Sequence, residues 1–107
     1  MTISDLPTLS FSCEMDARAF YEIELKGFFQ HTLVNLPDGT RVRVSFWDPI
    51  RLSQDLKTAT ERGKSCIAEP CIIILPKITL ANMTAAVEEL YRSGYFERLR
   101  AAFQYST

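Results

Sequence analysis

The run Cys71-Ile72-Ile73-Ile74-Leu75 constrains the fold of this chain more than any other stretch. It is apolar at every position, β-branched at its centre and closed by Pro76. A half-exposed strand alternates apolar with polar residues, and an amphipathic helix spaces its apolar residues three and four apart; an unbroken short run fits neither pattern. The run predicts a strand covered on both faces and placed centrally in a sheet.

A hairpin supplies part of that sheet. Thr32 to Leu36 and Arg41 to Trp47 flank Pro37-Asp38-Gly39-Thr40, in which Pro37 presets φ and Gly39 provides the positive φ of a bulged turn. In the second strand Val42, Val44 and Phe46 point inward, with Arg41, Arg43, Ser45 and Trp47 on the other face. Two earlier segments alternate in the same way, Thr8 to Cys13 and Tyr21 to Lys26, and are predicted as strands. In the latter, Tyr21, Ile23 and Leu25 lie opposite Glu22, Glu24 and Lys26, while Glu14 to Arg18 forms the intervening turn.

The period then changes. Asp48 is a good N-cap and Pro49 suits the first helical position, so a helix is predicted over 49–62, with Leu52, Leu56 and Ala59 on its apolar side and Gly63 ending it. After the apolar run, Thr79 caps a second helix, Ile78 staples against Met83, and Leu80, Met83, Val87, Leu90 and Tyr91 form one stripe. Gly94 ends that helix, and Phe96, Leu99 and Phe103 suggest a short final one.

A chain of 107 residues buries roughly 65% of its unfolded surface, which suffices for one core. The prediction is a single α+β domain over 1–107, frayed at Met1 to Leu6 and at Gln104 to Thr107. Its sheet is mixed, mainly antiparallel, of about five strands, with a C-terminal β-α-β-α portion in a two-layer sandwich. The strands at 41–47 and 71–75 are parallel, joined by a right-handed crossover.

Twelve basic and thirteen acidic side chains leave a net charge of −1. Arg92, Arg98 and Arg100, the densest basic stretch, are interrupted by Glu97 and preceded by Glu88 and Glu89, a solvated helix face rather than a phosphate track. Nucleic acid is not an expected partner. No window reaches the ~18 apolar residues of a membrane span, and the first residues resemble no export signal, so no membrane is expected either. Three cysteines, Cys13, Cys66 and Cys71, form an odd set that reads as reduced thiols in a cytoplasm.

The residues leave little room for catalysis. His31 is the single histidine and has no partner nearby in sequence, so a Ser-His or Cys-His pair would hang on it alone. Cys66 and Cys71 lack a second ligand pair for zinc, and Cys71 opens an apolar strand where a thiol behaves as a small hydrophobe. No phosphate-cradling glycine motif occurs, and no cofactor is expected. Glu22 with Glu24, and Glu88 with Glu89, have nothing nearby to perturb them into acid–base work.

Two features remain. The carboxyl ends of the two parallel strands gather Trp47, Asp48, Lys77 and Thr79, where a ligand or partner would bind, although capping alone accounts for Asp48 and Thr79. Both helices are expected on one face, so the other face of strand 71–75 needs cover from the segment Tyr95 to Tyr105 or from a second copy of the chain. The sequence therefore favours a small non-enzymatic cytoplasmic protein, regulatory, accessory or immunity-type, acting through protein–protein contact and forming a homodimer. The alternative is a small-molecule binder or minor enzyme at the strand ends, with Asp48 or His31 carrying a proton, Lys77 clamping an anion and Trp47 stacking.

Overall fold

A computed structural model gives the architecture of residues 6–69 and 71–105, with side chains described as far as Arg100; most of the expected frayed ends lie outside the described residues. The elements are β1 (Thr8–Phe11), α1 (Ala17–Lys26), β2 (Phe28–Asn35), β3 (Arg41–Trp47), α2 (Pro49–Glu61), β4 (Ile72–Ile74), α3 (Leu80–Arg92) and α4 (Tyr95–Tyr105). The strands form one sheet in the order β1-β2-β3-β4, antiparallel except for the parallel β3–β4 pair. The fold is α+β with a mixed sheet of four strands, one fewer than the sequence suggests.

The hairpin forms for the reasons its residues give. Gly39 takes φ 92°, the Asp38 carboxylate accepts from the Thr40 amide at 2.9 Å, and the Leu36 amide donates to the Thr40 carbonyl at 2.8 Å. Val44 and Phe46 are fully buried and Val42 half-buried, whereas Arg41 and Arg43 face water. Asp48 caps α2 by accepting from the Arg51 amide at 2.7 Å, and Thr79 caps α3 by accepting from the Asn82 amide at 3.1 Å. Ile78 and Met83 both lie in the core, as a staple requires.

The missing strand is Tyr21 to Lys26, which is the second half of α1. Asp16 caps this helix through the Ala19 amide at 2.8 Å, and Gly27, at φ 73°, closes it by donating to the Ile23 carbonyl. As a helix the segment turns Phe20 and Ile23 toward the sheet and leaves Tyr21 and Leu25 in water. Good helix formers between two strong caps outweigh a six-residue alternation.

That change moves β4. Among the described residues no strand pairs with its far side, so β4 lies at the edge of the sheet rather than in its centre. Ile73 packs in the core, but Ile74 is 53% exposed, so the expectation of cover on both faces is corrected. The two faces are also shared differently. Ile23 of α1, Met83 and Val87 of α3 and Phe96 of α4 pack with Val34, Val44, Phe46 and Ile73 on one face. Against the opposite face, at the Trp47 end, lies α2, where Asp55 and Arg51 meet Trp47 and Phe28. The helices on either side of β4 thus occupy different faces, and α4 packs on the core face rather than covering the other.

Candidate functional site

The four residues singled out at the strand ends separate into two groups. Trp47 and Asp48 sit where β3 runs into α2. The Trp47 ring is 4% exposed, lies 4.5 Å from the Phe28 ring and donates its indole N–H to Asp55 Oδ2 at 2.9 Å. Arg51, one turn before Asp55, reaches the same carboxylate at 2.9 and 3.1 Å, donates to the Lys26 carbonyl at 3.1 Å, and places its guanidinium 5.5 Å from the Phe28 ring centre. Burial pushes the Asp55 carboxyl up, but the indole and guanidinium together outweigh it and hold the group below the usual carboxylate range.

Lys77 and Thr79 sit where β4 runs into α3. Lys77 is exposed, and its carbonyl accepts from the Asn82 side chain at 2.9 Å. Among the described residues no hydrogen bond or ion pair joins this group to Trp47 or Asp48. At both helix starts the hydrogen bonds serve capping, the Asp48 amide adding a bond to the Gly27 carbonyl at 2.9 Å. Arg51 and Asp55, which complete the Trp47 cluster, escaped the sequence reading; their only signal is the opposite charge at i and i+4 on α2.

A second region lies at the irregularity in β2 between Phe29 and Thr32. One extra residue on β2 leaves Gln30 and His31 together opposite Ser45, and both are exposed where they line a cavity of about 300 Å³ with Arg43, Ser45 and Glu69. They also border one of about 330 Å³ that includes Met15, Ile23 and Phe29. The His31 imidazole touches the Phe29 ring edge-on at 5.7 Å and has no orienting side-chain hydrogen bond among the described residues.

No protein-family model, curated protein or solved structure matches the chain.

The third region is the free edge of β4. The Cys71 carbonyl accepts from the Ser45 amide at 3.1 Å and the Leu75 amide donates to the Trp47 carbonyl at 2.9 Å. In a parallel ladder this phase directs Cys71, Ile73 and Leu75 toward β3 and turns the amides and carbonyls of Ile72 and Ile74 outward, away from the sheet. Beside this edge runs a groove of about 270 Å³, lined by Ile72 to Leu75 and by Ala86, Leu90 and Tyr95, with Glu89 on its rim. Cys71 enters the strand with φ 57°, and burial pushes its thiol above the ordinary cysteine range. An apolar strand interior, an apolar groove and outward-facing backbone groups meet along this edge.

Proposed function

We propose that this chain is a non-enzymatic protein-interaction module of the cytoplasm, regulatory, accessory or immunity-type in role, and that its working surface is the free edge of β4. Its ligand is an extended segment of polypeptide that adds a strand to the sheet. One observation carries this reading: three consecutive isoleucines occupy an edge strand whose outward backbone groups have no partner strand among the described residues, with Ile74 53% exposed. Proteins blunt such edges with short strands, charges, prolines or bulges; β4 has only its three-residue length, and its interior carries no charge, proline or bulge. The rival reading, a small-molecule pocket at the strand ends, finds the Trp47 indole, Asp48 Oδ1 and Thr79 Oγ1 engaged within the fold.

Cross-linking in an extract of the source cells tests the proposal. Lys77, two residues beyond Leu75, is expected to cross-link to another polypeptide, and Ile74→Lys, which blocks the edge at an exposed position, is expected to remove those links. Intermolecular links that survive Ile74→Lys, or a Lys77 that forms none, would overturn it.

A further inference from the structure

We infer that the cavity beside the irregularity in β2 is a binding site for a small zwitterion, a free α-amino acid with an uncharged polar side chain. The inference goes beyond the reading of the β4 edge and does not rest on it.

Three elements build the cavity. Phe29 of β2 faces Phe46 of β3 and Thr32 faces Val44, so Gln30 and His31 both stand opposite the single residue Ser45. Bulges of this kind re-aim side chains and recur next to active sites. Arg43, two residues before Ser45 on β3, shares its face of the sheet, because Val44 between them packs in the core. Glu69 arrives from the loop before β4, where the Cys71 carbonyl accepts from the Ser45 amide. Ser45 is 7% exposed and lies deepest; Gln30, His31, Arg43 and Glu69 are exposed around it.

These side chains are not engaged within the fold. Among the described residues none of the five makes a side-chain hydrogen bond or an ion pair, although together they offer hydroxyl, amide, imidazole, guanidinium and carboxylate groups. At the strand ends, by contrast, the Trp47 indole, Asp48 and Thr79 all have partners.

Charge selects the ligand. Arg43 and Glu69 line one cavity, yet no ion pair joins them among the described residues. An anion alone would be repelled by Glu69, and a cation alone by Arg43. A molecule with a carboxylate for the guanidinium and an ammonium for the Glu69 carboxylate satisfies both. Gln30, Ser45 and the His31 ring are left for a side chain that hydrogen-bonds without charge. The volume of about 300 Å³ is at the small end of ligand sites and suits an amino acid better than a nucleotide.

An open site with a few polar contacts implies a dissociation constant on the order of a millimolar. Amide chemical-shift mapping of the purified full chain by NMR tests the inference, with L-glutamine, L-asparagine and L-serine as probes. Each is compared with its N-acetyl derivative, which lacks the ammonium, and its α-amide, which lacks the carboxylate. At least one probe is expected to shift the His31 and Ser45 amides saturably, and its two derivatives to bind several-fold more weakly. Glu69→Gln should remove the preference over the N-acetyl derivative, and Arg43→Gln the preference over the α-amide. Both side chains are exposed, so the variants should keep the fold, which their spectra would verify. No saturable shift at about 20 mM of any probe, or shifts confined to other parts of the molecule, would overturn the inference. An N-acetyl derivative that binds as tightly as its parent would make the cavity an anion site, and an equally tight α-amide a cation site; either result, or preferences that survive both substitutions, would refute the zwitterion.

Discussion

The indole N–H of Trp47 donates to Asp55 at 2.9 Å and thereby ties the last residue of β3 to the second turn of α2. No residue of α2 is fully buried, so this bond and the Arg51 contacts do the work that apolar burial does for the other helices. Asp55→Ala is expected to cost about 2 kcal/mol in urea denaturation, because a carboxylate bonded to both an indole and a guanidinium is lost. Trp47→Phe should cost about 1 kcal/mol, and the double variant less than the sum. Strictly additive costs would show that the two residues act separately.

Gly27 tests the junction from the other side. Its φ of 73° already disfavours a side chain, and a Cβ there would come within 2.7 Å of Asp48 Cγ, the cap of α2. Gly27→Ala should therefore cost more than about 2 kcal/mol. Gly39→Ala, with φ 92° and open space around it, should cost only about 1 kcal/mol. Equal losses at the two positions would remove the Asp48 overlap from the account.

Thr32, 1% exposed between β1 and β3, has a buried hydroxyl oxygen with no hydrogen-bond partner among the described residues. Thr32→Val keeps the shape and removes the unsatisfied group, so the urea midpoint should rise by the equivalent of about 1 kcal/mol. A lower midpoint would mean that the hydroxyl has a partner after all.

Asp38 sets a pH dependence. The Thr40 amide, then the Thr40 hydroxyl and the Arg100 guanidinium, hold its carboxyl at about 2 against an ordinary 3.8. Its contribution to stability is complete above the ordinary value and fades as pH falls through the folded one, so it is lost between about 4 and 2. The carboxyl resonance followed by NMR should report that titration. Arg100→Ala should raise the midpoint only part of the way, since the Thr40 amide remains the larger cause; full return to the ordinary value would contradict this order.

Much of the fold is legible because several residues act locally. Gly39, the Asp48-Pro49 pair and Thr79 specify a turn and two helix starts through their own φ preferences and side-chain oxygens, and the structure places each where its chemistry requires. The alternation of Tyr21 to Lys26 is compatible with a strand and with a capped helix, and the decisive residues, Asp16 and Gly27, lie outside the six that alternate. The position of β4 depends on which of the two forms, since an apolar run reports what it can tolerate on each side and not how many strands exist to flank it. Of the strand-end residues, Trp47 and Asp48 are readable as neighbours in sequence, whereas the Arg51 and Asp55 contacts depend on which sheet face α2 occupies, a tertiary choice that no local pattern encodes.

The route from β3 to β4 has a consequence for the order of assembly. The β2–β3 hairpin closes over a short turn, while β4 reaches β3 only after the chain from Asp48 to Cys71 has been traversed. Loop closure costs more over the longer span, so the first three strands consolidate ahead of the fourth. During synthesis, a ribosome would extrude a meander whose rim at β3 stays open until residue 75 clears the exit tunnel, and the isoleucine triplet would be the last tile laid in the sheet.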